Sequence, residues 1–162
     1  MRKLPQNPIC LTTTPTGENL GKMIGITYRH MSDYIAWISR NQGFPAFSLQ
    51  YLAVLKNIEP KGITVNHLAK KILITKQAVS KMTKDLEKHG YVTLKKNPED
   101  SRSVLIFGTP LATKLMTFIS KQNQRFFNEI EEALGEKRTQ NFLVDMHTVM
   151  GLVIERTLKE TR

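Results

Sequence analysis

Gln77, Lys81, Lys84 and Lys88 follow one another at i, i+4, i+7 and i+11, which is one face of an α-helix, and Lys76 and Ser80 stand beside them. A row of ammonium groups holding one amide and one hydroxyl suits a polyanion that also presents hydrogen-bonding edges. Gln77 can pair with adenine through two hydrogen bonds, while Thr75 and Ser80 can bond bases or phosphates. Lys76, Lys81 and Lys84 suit phosphate or guanine. A second group lies downstream: Lys95 and Lys96, then Asp100 and Arg102 in a polar hairpin loop. An arginine at a hairpin tip can enter a narrow minor groove, where the potential is most negative. A free Asp100 would repel DNA, so its expected task is to orient Arg102 or a neighbouring cation. The competing expectation for both groups is a solvated charged surface.

Charge distribution favours the polyanion. Residues 61–84 hold six lysines and no acid, and residues 61–102 hold ten basic residues against four acidic ones. The other residues carry fourteen against ten, so the net charge of +10 is concentrated on one small module. DNA is the commonest partner for such a patch. One cysteine, Cys10, excludes an intrachain disulfide and fits a reducing compartment. The proline-broken N-terminus does not read as a signal peptide, and no apolar run reaches bilayer length, so a cytoplasmic location is expected.

The elements that must position these groups are legible in turn. Residues 1–17, with Pro5, Pro8, Pro15 and a threonine run, read as an extended arm. Leu20, Ile24, Met31, Tyr34, Ile35 and Ile38 recur at helical spacing from Glu18 to Gln42, and Gly43 supplies a stop. A second helix is expected from Ala46 to Asn57, followed by a turn at Glu59–Gly62. Thr64 can cap a short helix holding Leu68 and Ala69, and Ile72-Leu73-Ile74 makes the next turn. Thr75 then caps a helix that ends at Gly90, with Val79, Met82 and Leu86 as its buried stripe. Tyr91–Lys96 and Ser103–Phe107 read as two strands around the loop Asn97–Arg102. Thr109-Pro110 opens a helix to Leu134, stopped by Gly135, and a last helix runs from Glu136 to Thr161.

The order of elements and three strings resemble the MarR family of winged helix-turn-helix transcription regulators. The strings are Ile63 to Val92, the loop NPEDSRS from Asn97 to Ser103 with Asp-x-Arg at Asp100 and Arg102, and the helix start at Thr109. The likeness spans residues 18–160. Two positions depart from the family pattern: Gly108 stands where leucine is usual, and Ala112 where glycine is usual. Gly108 could loosen the junction between wing and long helix.

The resemblance implies a mainly α fold with a small β-hairpin wing. It divides the chain into an N-terminal arm (1–17), a helical dimerisation lobe (18–45 and 109–162) and a winged helix-turn-helix lobe (46–108). It implies a homodimer on a palindromic operator in double-stranded DNA, with recognition helices about 34 Å apart in successive major grooves. Thr75 to Gly90 becomes the recognition helix and the Arg102 loop its wing. The expected function is a sequence-specific regulator, a repressor released by a small-molecule effector. No enzyme activity, cofactor, metal site or catalytic set is expected.

Arg29, His30, Tyr34, Trp37, Phe44 and Phe47 are candidates to line an effector pocket, with core packing as the competing role for the aromatic residues. Cys10 is a candidate oxidant sensor or an inert thiol. Two other functions fit the sequence: an architectural or plasmid-maintenance DNA binder without a ligand, and a winged-helix module that binds protein.

Overall fold

The computed structural model describes residue 16 and residues 19–160. The elements run α1 (Leu20–Asn41), α2 (Tyr51–Leu55), β1 (Ile63–Thr64), α3 (Val65–Lys71), α4 (Lys76–Lys88), β2 (Val92–Lys96), β3 (Val104–Gly108), α5 (Pro110–Leu134) and α6 (Glu136–Glu160). They fall into two compact units, residues 1–116 and 117–162. The arm and Cys10 lie outside the described residues. Among the described residues no helix is long and apolar enough to cross a membrane.

The first unit is a helix-turn-helix backed by a small sheet. Thr64 caps α3, its hydroxyl oxygen accepting from the amide of His67 at 3.2 Å, and Thr75 caps α4 by accepting from Ala78 at 3.2 Å. Each such cap contributes about 1 kcal/mol by satisfying an amide the helix leaves open. The other end of α4 closes in a Schellman turn: the amide of Gly90 donates to Glu87 at 2.9 Å and that of Tyr91 to Leu86 at 2.9 Å. Gly90 takes the left-handed conformation this turn needs, at φ +77°. The turn also directs the chain into β2.

The sheet order is β1-β3-β2, all antiparallel, with Leu94 and Ile63 both opposite Ile106. The expected hairpin is therefore completed by a third strand, β1, that residue pattern did not reveal. Gly62, at φ +82°, makes the approach to β1 possible: a Cβ there would lie 2.7 Å from the ring of Phe107. Gly108 pairs regularly with Val92 at the end of β3. Thr109 follows, its hydroxyl oxygen accepting from Ala112 at 3.3 Å while its amide donates to Tyr91 at 3.0 Å. Ala112, where the family more often has glycine, is buried.

Val54, Leu68, Val79, Leu86, Tyr91, Val92, Ile106 and Leu115 fill the core of this unit. Two expectations need correction here. The helix drawn over Ala46–Asn57 is only Tyr51–Leu55; tighter i→i+3 turns flank it, Tyr51 to Ser48 at 2.9 Å and Asn57 to Val54 at 3.1 Å. The cause is tertiary: Phe47 leaves the helical path to pack edge-on against Tyr51 and Tyr91, with ring centroids 5.9 Å away in each case. The second concerns the stripe of α4. Thr83, not Met82, is its third fully buried residue. A buried threonine costs little here because its hydroxyl donates to the carbonyl of Val79 at 2.7 Å.

In the second unit, α5 continues to Leu134 and Gly135 turns the chain directly into α6. Ile119 and Thr139 are buried. Much of the apolar surface of α6 is not, including Phe142, Met146, Met150 and Val153. In the first unit, Leu20, Ile24, Tyr28 and Met31 of α1 are exposed in the same way, while Ile35 and Ile38 are buried.

Candidate nucleic-acid interface

On α4, burial of Val79, Thr83 and Leu86 turns the opposite face outward. Lys76, Gln77, Ser80, Lys81 and Lys84 together line an open depression of about 410 Å³ on that face. All but the half-buried Ser80 are exposed. Thr75 stands at the N-terminal edge, its hydroxyl oxygen engaged with Ala78 and its proton still available to a ligand. Lys88 is exposed but does not line the depression.

The positive charge on this face is uncompensated. Among the described residues, no carboxylate lies within ion-pair distance of Lys76, Lys81 or Lys84. Asp85, between Lys84 and Leu86, is drawn to the other side of the helix, where its carboxylate accepts from the Tyr51 hydroxyl at 3.2 Å. Burial, and then the bond to and charge of Asp85, raise the Tyr51 hydroxyl above the usual tyrosine range. On α3, by contrast, Lys71 is paired with Glu59 at 3.1 Å, and this holds the Glu59 carboxyl below its usual value. The helix also has no acid in its first turn, so the positive end of its dipole adds to the lysines.

The loop between β2 and β3 is held by its own polar groups. Asn97 accepts from the amide of Glu99 at 3.1 Å, and its Nδ2 donates to the Ser103 hydroxyl at 2.9 Å. The Ser103 amide donates to the carbonyl of Asp100 at 2.9 Å. Asp100 engages Arg102 through the backbone: its carboxylate accepts from the Arg102 amide at 3.0 Å. Among the described residues Asp100 thus bonds the backbone of Arg102 and makes no ion pair to its guanidinium. Arg102 and Lys96 are exposed. The ammonium of Lys95 lies 5.1 Å from the ring centre of Phe107, a cation–π contact that ties it to the sheet.

The candidate pocket residues differ in their burial. Phe47 is a core residue, held between Tyr51 and Tyr91. Tyr34 and Trp37 stack at 6.4 Å on an exposed stretch of α1 that also carries Arg29 and His30, and Phe44 is half-buried beyond the end of that helix. The residue pattern also understated Tyr91. It is fully buried, its hydroxyl donates to the carbonyl of Pro45 at 2.9 Å, and its backbone joins α4, β2 and the start of α5. Its only sequence signal was its place just after the Gly90 stop.

A capped basic helix after a short turn, a three-stranded sheet behind it and a charged hairpin beside it define a winged helix-turn-helix protein. The family model of the MarR family matches residues 35–103, from within α1 to the end of the hairpin loop. Solved structures with the same fold include the transcriptional regulator SlyA (17% identity, TM-score 0.70, covering 89% of this chain and 99% of that one). A MarR transcriptional regulator from Methanosarcina mazei Go1 gives 20% identity and a TM-score of 0.69, covering 85% and 98%. The S. aureus MepR–DNA complex gives 17% identity and a TM-score of 0.68, covering 86% and 99%. At such identities the likeness is one of fold. A search of curated proteins finds no match.

Proposed function

We propose that this chain is a sequence-specific, double-stranded-DNA-binding transcription regulator that works as a homodimer. The observation that carries the reading is the outward face of α4: five residues, three of them lysines without an acidic partner, around Gln77. Gln77 reads base edges, and Lys76, Lys81 and Lys84 hold phosphates or guanine, with Thr75 and Ser80 as secondary donors. Arg102, with Lys95 and Lys96 behind it, follows the adjacent groove. The dimer is supported by the apolar residues left exposed on α1 and α6, which a lone soluble chain does not ordinarily present in such number. Residues 18–45 and 109–162 would form the dimer lobe, and residues 46–108 the DNA-binding lobe.

In this reading the chain is a cytoplasmic repressor, without catalytic activity or a cofactor, released by a small-molecule effector. Release requires only that the effector bind more tightly to a dimer whose recognition helices are wrongly spaced for the two half-sites. Arg29, His30, Tyr34, Trp37, Phe44 and Phe47 are the candidate effector residues, with Phe47 also packed in the core.

Selection of duplexes from a random pool tests the reading. It should enrich a two-fold symmetric motif with half-sites about one helical turn apart. No enrichment would refute specific recognition, and enrichment of a single asymmetric site would refute the symmetric dimer. Lys84→Ala should weaken binding to every duplex alike and lower the slope of log affinity against log salt by about one per protomer. An unchanged slope, measured by fluorescence anisotropy, would remove Lys84 from the phosphate contacts.

The wing should respond differently. Arg102→Lys should lose affinity on an A/T-flanked site although charge is kept, because an ammonium is more strongly hydrated than a guanidinium and enters a narrow groove at greater cost. Asp100→Ala should also weaken binding, by freeing the Arg102 amide and loosening the loop. Tighter binding by Asp100→Ala at moderate salt would make Asp100 a repulsive bystander.

A further inference from the structure

Leu73 combines two features that a turn does not ordinarily retain. It is the only described residue other than glycine with positive φ, +56°. It is also 66% exposed, more than any other large apolar residue among those described. It occupies the left-handed position that ends α3, and Ile74 after it donates to Ala69 at 3.1 Å to complete the turn. Glycine is the residue this conformation favours, and an L side chain there is strained. Exposure brings leucine no compensating burial. Local rules broken without a folding gain tend to mark a functional position.

The location suggests the function. Leu73 is two residues before Thr75, the cap of α4, and so within about 7 Å of it along the chain. Resting on the reading of α4 as a recognition helix, the N-terminal end of that helix meets the base edges in the major groove. The apolar feature of that groove is the C5-methyl group of thymine. We propose that Leu73 is a specificity-determining residue that packs on a thymine methyl at the edge of each half-site. It adds an apolar preference to the polar reading by Gln77.

The test uses the full-length chain and the duplex enriched by selection, with each thymine replaced singly by deoxyuridine, which removes only the methyl. For the wild type, one position per half-site should bind about four-fold more weakly when the methyl is absent, the value of burying one methyl-sized group. Leu73→Gly should bind the thymine duplex more weakly by a similar factor and be indifferent to uracil at that position. Its thermal midpoint should hold or rise, since glycine relieves the strain, which separates a lost contact from a lost fold. Leu73→Ala, which keeps the strained backbone but loses the isobutyl group, should behave like Leu73→Gly on DNA.

Equal uracil penalties in wild type and Leu73→Gly at every position would overturn this inference while leaving the regulator reading intact. Failure to enrich any sequence would overturn both.

Discussion

Tyr91→Ala should lower folding stability by about 3–5 kcal/mol, the range for truncating a large buried aromatic side chain. Tyr91 is fully buried, meets Phe47 edge-on and donates to Pro45. Its backbone accepts from Thr109 and donates to Leu86, so the cavity would open where α4, β2 and the start of α5 are joined. Urea denaturation monitored by far-ultraviolet circular dichroism measures the loss, and a change below about 1 kcal/mol would show that the site collapses around the gap. Tyr91→Phe keeps the ring and should cost only about 0.5–1.5 kcal/mol for the hydrogen bond.

The same residue gives a pH signature. Burial pushes its hydroxyl up to about 12, whereas an unfolded tyrosine ionises near 10. A raised folded-state value means that this contribution to stability is complete below pH 10 and is lost as pH rises through 12. Tyr51 is shifted in the same direction. The thermal midpoint of the wild type should therefore fall more steeply between pH 10 and pH 12 than that of Tyr91→Phe. Parallel curves would mean that Tyr91 ionises as freely in the folded protein as in the unfolded chain.

Gln77→Ala should cost about 1–3 kcal/mol of discrimination at one base pair in each half-site, roughly a 5- to 150-fold loss of preference there. Its side chain is exposed among lysines whose charges no acid cancels. In the proposed reading those lysines supply affinity without regard to sequence, so the variant should still bind DNA, and its salt slope should hardly change. This pattern is the reverse of that expected for Lys84→Ala. A panel of duplexes carrying single base changes, titrated at one salt concentration, separates the two. If Gln77→Ala ranked the panel as the wild type does, base reading would have to come from another residue of the helix face.

Much of the candidate site was legible before folding because its determinants are local. Threonine at 64, 75 and 109 marks a helix start by hydrogen bonding to an amide three residues on, and glycine at 90 marks an end by its left-handed freedom. The 3.6-residue period then fixes that Gln77, Lys81 and Lys84 share a face opposite Val79 and Leu86. The hairpin around Asn97–Arg102 follows from the same short-range logic.

Tertiary structure alone decided what depends on partners distant in sequence. The two residues of β1 are too few for periodicity and become a strand only by pairing with Leu105 and Ile106. Phe47 reads as the face of a helix, yet packing against Tyr91 draws it into the core and shortens α2 to five residues. Asp85 looks as free to neutralise Lys81 or Lys84 as any acid on a basic helix. Tyr51, thirty-four residues away, turns its carboxylate elsewhere and leaves the lysine face positive. Hydrogen-bond caps and helical period act over three or four residues and are written in order along the chain. Burial, and the side chains it brings within bonding distance, are set only when segments far apart in sequence share one core.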